Sequence, residues 1–199
     1  MAGMLRIQQR EQTRRTLLRE SRRLFAAKGY AAVGLAEITA AAGVTKGALY
    51  HNFSSKIELF RAVLEEVQNE VGEHVAAAAD AAAEPWDQLV TGCETFITAC
   101  TAPEIQRILL IDGPSVLGWH DWRALDEAAS ARHLHEALTE LVAAEVIPPQ
   151  PIEPLTHLLS GAMNEAALWL ATATAPDALE QTLASLRRLL GAIQTPPGQ

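Results

Sequence analysis

The sequence predicts an all-α protein of two domains, and three observations support this prediction. Hydrophobic residues make up 49% of the 199-residue chain and aromatic residues only 5%, with abundant alanine, a composition that favours helices over sheet. Apolar residues recur at steps of three and four, the period of a helix with one buried face. Glycine and proline separate these periodic segments, as expected where helices end. About nine to ten helices are expected.

The first domain is organised around two short helices within residues 35–53. The first has apolar residues at helical spacing and ends at Gly43, because glycine readily adopts the left-handed conformation of a helix C-terminus. Thr45 is the expected N-cap of the second helix, which directs Leu49 inward. Two helices joined by a glycine turn predict a helix-turn-helix, whose second helix fits the major groove of DNA. The residues directed outward are Lys46, Tyr50 and His51.

A third helix, predicted from Thr13 to Lys28, precedes this pair and completes a three-helix DNA-binding domain over residues 1–55. Residues 1–9 are expected to form a loose tail. The arginines of the helix either cover a solvated face or lie near the DNA backbone, with the N-terminal ones, such as Arg14, more favourably placed for phosphate.

Residues 56–199 form the second domain, which begins with one long helix. Ser55 and Glu58 have the spacing of a capping box, which marks a helix start. One apolar stripe continues to about Ala83, so the helix spans roughly 42 Å at 1.5 Å per residue. The triplet Asp112-Gly113-Pro114 is a strong turn signal that ends a short helix. The remaining helices are expected to start at Pro85 and to cover residues 104–111, 122–146, 154–172 and 176–193.

The last two helices predict a partner subunit. The first is apolar almost all round, and such a helix is buried on every side. The second has leucines at steps of four and three, a seam like that of a coiled coil. A chain of this length can hardly cover both helices with its own atoms, so a homodimer is expected. The predicted interface residues are Leu155, Leu159, Ala162, Ala166, Leu179, Leu183, Leu186 and Leu190.

Charge is distributed very unevenly along the chain, whose net charge is −8. Residues 1–56 contain ten basic and three acidic residues, a net charge of +7, whereas residues 57–199 contain six basic and twenty-one acidic residues, a net charge of −15. A basic head on an acidic body is typical of a protein that meets phosphate at one end only.

The string Ala-Ala-Gly-Val-Thr-Lys-Gly-Ala-Leu-Tyr-His-Asn-Phe-Ser-Ser-Lys (41–56) closely resembles the signature of TetR/AcrR-type bacterial transcriptional regulators. The resemblance covers residues 13–60. It implies a long helix that moves the head when ligand binds, and two C-terminal helices per chain that pair in a four-helix dimer bundle. Val33-Gly34 departs from the family, which usually has two hydroxyl residues there. Gly34 can still cap the helix but cannot supply a hydroxyl contact.

The candidate DNA contacts are assigned by side-chain chemistry. Lys46 can reach a guanine edge or a phosphate, and Lys56 can meet phosphate at a helix N-terminus. Gly47 and Ala48 keep the second helix thin, and Ala48 could touch a thymine methyl group. The alternative for Tyr50 is a partly buried position. Hydrogen bonds to backbone oxygens are expected from Thr45, Tyr50 and His51.

A ligand pocket is expected in the second domain. Tryptophans offer large apolar contacts, while His120 and Asn164 could orient a ligand. Asn164 lies in an apolar helix and needs a partner, so it is the strongest polar candidate. The alternative for each tryptophan is a core position. The candidate pocket residues are Phe96, Trp119, His120, Trp122, Asn164 and Trp169.

The sequence favours neither a cofactor nor catalysis. His133 and His135 are two residues apart on a helix and point differently, and no cysteine pair has structural-zinc spacing. Cys93 and Cys100 are expected to be small buried thiols, with a redox sensor or cross-chain bridge as the alternative. No nucleophile elbow or glycine-rich phosphate loop occurs. The N-terminus lacks a secretory signal, so a cytoplasmic location is expected.

These features together predict a ligand-responsive transcriptional regulator. A dimer should bind a near-palindromic operator and release it when a small molecule binds, and the family resemblance implies repression. Two alternatives are a helical ligand-binding protein or enzyme that does not bind DNA, and a regulator whose second domain is filled and takes no ligand.

Overall fold

The computed structural model describes residues 2–194, and the side chains of Met4 and of residues 7–194. The described part is helical, without strands, and contains eleven α-helices and one π-helical turn. They are α1 (Ala2–Lys28), α2 (Leu35–Ala42), α3 (Lys46–Asn52), α4 (Lys56–Asp80), α5 (Pro85–Cys100), α6 (Pro103–Gln106), the π turn (Arg107–Asp112), α7 (Gly113–Leu117), α8 (Trp119–Ala128), α9 (Ser130–Ala143), α10 (Ile152–Leu170) and α11 (Ala178–Gly191).

The head consists of α1, α2 and α3, and its helix ends confirm the predicted turn. Gly43 has φ of 65°, in the left-handed region, and its N–H closes α2 by bonding the carbonyl oxygens of Thr39 and Ala40. The hydroxyl of Thr45 accepts a hydrogen bond of 3.1 Å from the backbone N–H of Ala48 and caps α3. Gly34 caps α2 without a side-chain hydrogen bond, as expected.

The prediction of a loose tail over residues 1–9 is wrong, because α1 begins at Ala2. Residues 4–12 contain good helix formers and no proline, so the helix continues upstream of the predicted start. The described side chains of its outer turns are exposed, with Met4 at 67% and Ile7 at 72%. Exposed positions need no apolar periodicity, and periodicity was the basis of the predicted boundary.

Helix α4 packs against both α1 of the head and α5 of the body. Its cap forms as predicted on one side, since the Ser55 hydroxyl accepts from the Glu58 N–H at 3.1 Å. The carboxylate of Glu58 instead accepts from the N–H of Ser54 at 2.6 Å. Because α4 packs on both halves of the chain, the division into residues 1–55 and 56–199 stays a prediction.

The predicted turn at Asp112-Gly113-Pro114 is wrong, because the chain stays helical from Pro103 to Leu117. The π turn carries it through, and Pro114 then occupies the first turn of α7, where a missing N–H is tolerated. Gly113 is buried for a packing reason, since a Cβ there would lie 2.8 Å from Cδ1 of Trp122. The helical path ends only at Gly118, whose φ is 81°.

The single helix predicted over residues 122–146 is two helices, α8 and α9, which meet at Ala129. The backbone there leaves helical geometry, with φ of −111° and ψ of −104°. No glycine or proline lies near this break. Tertiary packing accompanies it: the backbone of Ala129 and Ser130 comes close to Gly72 of α4, where a Cβ would be in ordinary contact at 3.8 Å.

The last two helices each direct part of their predicted interface into their own protomer. Leu159, Leu186 and Leu190 are at most 7% exposed and belong to the hydrophobic core, because α10 and α11 both pack against α5. These three leucines are therefore wrongly assigned to a partner. Leu155, Ala166, Leu179 and Leu183 are half-buried, and Ala162 is exposed.

Within residues 2–194 no helix is both long enough and apolar enough to cross a bilayer.

Both cysteines are free and buried in the second domain. Burial, with a smaller contribution from nearby carboxylates, raises the pKa of each thiol from 9.0 to about 12. At pH 8 the native thiolate population should thus be about a thousandfold smaller than in the unfolded chain. We expect iodoacetamide to label Cys93 and Cys100 slowly in native buffer and rapidly in denaturant, as measured by mass spectrometry. Rapid native labelling would contradict this assignment.

Candidate DNA-binding surface and ligand cavity

The outer face of α3 presents a continuous polar surface. Leu49 is fully buried and Phe53 only 1% exposed, so these two side chains anchor α3 to the head. The opposite side chains are free to face a ligand: Lys46, Gly47 and His51 are exposed, and Tyr50 is 46% exposed. Tyr50 is therefore not a core residue. The Lys46 ammonium lies 5.8 Å from the centre of the Tyr50 ring.

Two other cations predicted to meet phosphate are held against the head itself. The Arg14 guanidinium lies 4.5 Å from the centre of the Phe53 ring, beside the end of α3. The Lys56 ammonium donates a 2.6 Å hydrogen bond to the Tyr30 carbonyl and lies 3.9 Å above the Tyr30 ring. Burial lowers the pKa of Lys56, partly opposed by nearby Asp112. The described structure thus gives Lys56 a structural role at the base of the head.

The head is tied to the body by a set of polar contacts that we call the junction: Lys28, Tyr30 and Lys56 of the head and α4, with Arg107 and Asp112 of the π turn. The Asp112 carboxylate accepts a 2.8 Å hydrogen bond from the Tyr30 N–H. Arg107 donates to the Lys28 carbonyl at 3.4 Å. The Lys28 carbonyl and the Tyr30 N–H are both backbone groups at the end of α1. These two contacts therefore hold the end of α1 against the π turn.

Glycine is required at the centre of the junction. Gly29 has φ of 79°, a conformation that side chains rarely adopt. The Arg107 guanidinium also occupies the space of a side chain, since a Cβ on Gly29 would lie 2.4 Å from its Nη2 atom. Backbone conformation and close approach both favour glycine at this position.

A cavity lies in the second domain between α4, α5, α8, α9 and α10. The volume of this cavity is about 60 Å³. One water needs roughly 10–15 Å³ by this measure, so the space corresponds to roughly four to six water positions. Its walls are mostly apolar, and the larger apolar side chains are Val75, Leu89, Phe96, Leu134 and Met163.

The cavity wall also contains polar residues, of which Asp126 and Ser160 are in contact with each other. These polar residues are Gln88, Asp126, Ser130, His133 and Ser160. Asp126 is 3% exposed, and its Oδ2 accepts from Arg123 Nη1 at 2.7 Å and from the Ser160 hydroxyl at 3.3 Å. Burial raises the pKa of Asp126, while Arg123 and hydrogen bonds from Ser160 and Asn164 oppose that rise.

Of the six predicted pocket residues, Phe96 borders the cavity, and its contact with a ligand stays a prediction. Trp119 and Trp169 are 66% and 51% exposed, His120 is also exposed, and none of the three borders the cavity. Trp122 is a core residue whose indole N–H donates to the Leu109 carbonyl at 2.7 Å. Asn164 is buried and does not border the cavity, and its Oδ1 lacks a hydrogen-bond partner in the described structure.

The sequence analysis did not select Asp126 because its surroundings in the sequence are themselves charged. Asp126 lies next to Glu127 in a segment typical of a solvated face. One signal was available: Asp126 is one turn after Trp122 and therefore shares the buried face of the same helix. Among the described residues, no three His, Cys, Asp or Glu side chains converge as metal ligands would.

Comparisons with known proteins agree with this geometry. Two family models match: "Bacterial regulatory proteins, tetR family" over residues 17–63 and "Tetracyclin repressor-like, C-terminal domain" over residues 86–193. The HTH-type transcriptional regulator AcrR of Shigella flexneri is 39% identical over 66 residues, which are 33% of this chain and about a third (31%) of AcrR. The repressor AcnR of Corynebacterium efficiens is 27% identical over 172 residues, covering 86% of this chain and 88% of AcnR.

A solved structure extends the similarity to nearly the whole chain. The crystal structure of a TetR-family transcriptional regulator from Pectobacterium atrosepticum aligns with a TM-score of 0.78 and 34% identity, covering 96% of this chain and 98% of that one. The exposed α3 face, the basic head and the two family matches therefore have one explanation. This chain belongs to the TetR family of ligand-responsive, DNA-binding bacterial transcriptional regulators.

Proposed function

We propose that this protein is a dimeric repressor that binds a near-palindromic operator through α3 of each protomer and releases it when a small molecule enters the cavity. The observation that carries the proposal is the anchoring of α3. Buried Leu49 and Phe53 hold the helix, and its free face presents Lys46, Tyr50 and His51. Binding to the chromosome places the protein in the cytoplasm, and its role is regulation rather than catalysis.

The distribution of charge supports binding at the head alone. The net charge of +7 over residues 1–56 attracts the phosphate backbone, while the net charge of −15 over residues 57–199 repels it. The duplex is therefore oriented toward α3 before any base is contacted. Direct contacts to bases from Lys46 and Ala48 then supply sequence preference, and the contacts of Thr45, Tyr50 and His51 set the register.

The exposed side of α10 supports a homodimer. Leu158 is 71% exposed and Trp169 51% exposed, while Gly161 and Ala162 between them are also exposed. Leu158, Ala162, Glu165 and Trp169 follow helical spacing, so they form one stripe that is apolar except for Glu165. The small residues Gly161 and Ala162 in the middle of this stripe allow two helices to approach closely. We therefore assign the dimer contact to this face of α10 together with the half-buried leucines of α11.

A continuous set of contacts can carry the ligand signal from the cavity to the head. Asp126 at the cavity wall is one turn along α8 from Trp122. Trp122 bonds the Leu109 carbonyl in the π turn. Asp112, at the end of the same turn, bonds Tyr30 at the end of α1. A shift of α8 on ligand binding would thus move the junction and tilt the head. Such coupling is reciprocal, so DNA must weaken ligand binding by the same factor.

Replacing Asp112 by alanine is expected to destabilise the protein by about 1–3 kcal/mol, because the Tyr30 N–H loses its acceptor in a partly buried position. The matched control is Asp121→Ala. Asp121 pairs with Arg61 on the surface, with a side chain 47% exposed, and such pairs contribute at most about 1 kcal/mol. Chemical denaturation measures both variants. Equal losses in the two would remove the junction from the proposed signal route.

The proposal is tested by titrating salt against binding to a labelled duplex that is selected for binding to the protein from the DNA upstream of its gene. We expect tight binding whose logarithm falls steeply and linearly with the logarithm of salt concentration. A scrambled duplex of equal length should bind much more weakly. Equal binding of both duplexes, or a monomer by sedimentation at concentrations where DNA binds, would contradict the proposal.

A further inference from the structure

The polar part of the cavity wall limits the kind of molecule that can bind, and this inference rests on the proposed function. Titratable groups on the wall are Asp126, His133 and the thiol of Cys93. The raised pKa keeps the thiol neutral. His133 is at the half-buried rim, with its Nδ1 3.6 Å from Glu136. The one ionisable group deep in the wall is therefore Asp126, which is 3% exposed.

Asp126 already has a cationic partner. Arg123 donates to it at 2.7 Å, and the Arg123 side chain is only 13% exposed, so an ion pair lies beside the cavity. Arg123 also pairs at 3.2 Å with Glu127, whose side chain is 48% exposed to solvent. A cationic ligand would compete with Arg123 for the carboxylate and add an uncompensated buried charge, which is costly. An anionic ligand would lie against the carboxylate. Charge therefore favours a neutral ligand.

Asp126 nevertheless retains capacity to accept a hydrogen bond. A carboxylate offers roughly four acceptor positions. Arg123 and Ser160 use two of them, both at Oδ2. A ligand that donates one neutral hydrogen bond to the other oxygen, Oδ1, would use a third. A ligand without a donor would bury an acceptor position against apolar atoms.

The size of the cavity limits the size of the ligand. Space for roughly four to six waters suits one ring with a short substituent. Phe96, Leu134 and Met163 offer apolar contact on such a ring. We infer that the cavity binds a small, neutral, mainly apolar molecule with a hydroxyl donor, such as a monocyclic phenol, and that Asp126 accepts the hydroxyl hydrogen bond and determines specificity.

The experiment measures the melting temperature of the full-length protein with four matched probes: 4-methylphenol, 4-methylanisole, 4-methylbenzylamine and 4-methylbenzoate. A molecule that binds only the native state raises the melting temperature, and titration of the shift gives its dissociation constant. We expect 4-methylphenol to bind at least about tenfold more tightly than 4-methylanisole, because the ether lacks the donor to the buried carboxylate. The amine and the carboxylate should bind more weakly than the phenol.

Two variants locate the site. Gly92→Leu fills the cavity from α5, where a Cβ would meet Val75 and Ala79 at ordinary distances of 3.6 and 3.7 Å, and it should abolish the phenol-induced shift. Asp126→Asn should reduce the preference for phenol over anisole. The probe series in the unmodified protein needs neither variant to fold.

Equal affinities for phenol and anisole, or tightest binding of the amine or the carboxylate, would overturn the inference. A phenol shift that survives Gly92→Leu would overturn the assigned site. Binding to the operator duplex is measured on the same sample. Intact duplex binding without a phenol preference contradicts this inference alone, whereas loss of sequence-specific duplex binding contradicts the proposed function.

Discussion

Replacing Lys46 by glutamate is expected to weaken binding to the operator duplex by roughly a hundredfold or more. Lys46 is an exposed cation on the outer face of α3, and loss of one base or phosphate contact from a lysine costs roughly 10- to 100-fold. The glutamate adds repulsion from phosphate at the same place. Lys46→Ala should have a smaller effect and should reduce the salt slope by about one.

The matched control for this charge reversal is Arg132→Glu. Arg132 is an exposed residue of α9 in the body, paired with Glu136 across one helical turn. The substitution Arg132→Glu changes the net charge by the same amount as Lys46→Glu, but its position lies outside the head. Fluorescence anisotropy with a labelled duplex measures both affinities, and circular dichroism verifies the fold. An equal loss for Arg132→Glu would show a general charge effect rather than a contact from α3.

Replacing Gly113 by alanine is expected to lower stability by about 2–3 kcal/mol, although alanine is the better helix former. The new Cβ would lie 2.8 Å from Cδ1 of Trp122 and 3.1 Å from the Ile108 carbonyl oxygen. The indole would have to move, and its hydrogen bond to the Leu109 carbonyl would weaken. For a chain of this size the melting temperature should fall by roughly 4–12 °C.

Gly72→Ala is the matched control, since Gly72 is also buried within a helix. Its added Cβ would meet the backbone of Ala129 and Ser130 at 3.8 Å, an ordinary contact. We therefore expect no loss of stability, and a gain of up to about 1 kcal/mol from the higher helix propensity of alanine. Thermal unfolding followed by circular dichroism compares the two. Similar melting temperatures for both variants would contradict the assigned packing of Trp122.

The head could be predicted from the sequence because its signals are local. A glycine at Gly43, a cap at Thr45 and a buried Leu49 one turn later each act within a few residues, and together they define α2 and α3. The outward direction of Lys46 and His51 follows from the same helical period. The extent of α1 could not be predicted in this way, because the described side chains before Thr13 are all exposed.

The body was predicted less accurately because its decisive features are contacts between distant residues. Gly113 and Pro114 resemble a turn locally, yet Trp122 requires the glycine and the π turn accommodates the proline. The break at Ala129 carries no local signal. Leu159 belongs to the same leucine pattern as residues of an interface, and only the position of α5 shows that it is covered within one protomer.

The cavity, too, depends on contacts between distant residues, which the sequence pattern does not show. Tryptophans were the obvious candidates for a ligand wall, but Trp119 and Trp169 lie on the surface and Trp122 fills the core. The wall instead combines aliphatic residues from four helices with Asp126, whose burial depends on how α8 meets α10. Within α8 the one feature that distinguishes that aspartate from its exposed neighbour Glu127 is its spacing of one turn from Trp122.

The π turn also constrains how related chains can differ in length. A π turn contains one residue more than the α-helical path between the same points. A deletion in a regular α-helix rotates everything beyond it by about 100°. Deleting one residue between Arg107 and Asp112 would instead let an uninterrupted α-helix join the same flanking segments, so the residues that contact Tyr30 and Trp122 could keep their places. Related chains should therefore tolerate the loss of one residue in this segment, whereas the neighbouring regular helices should tolerate none.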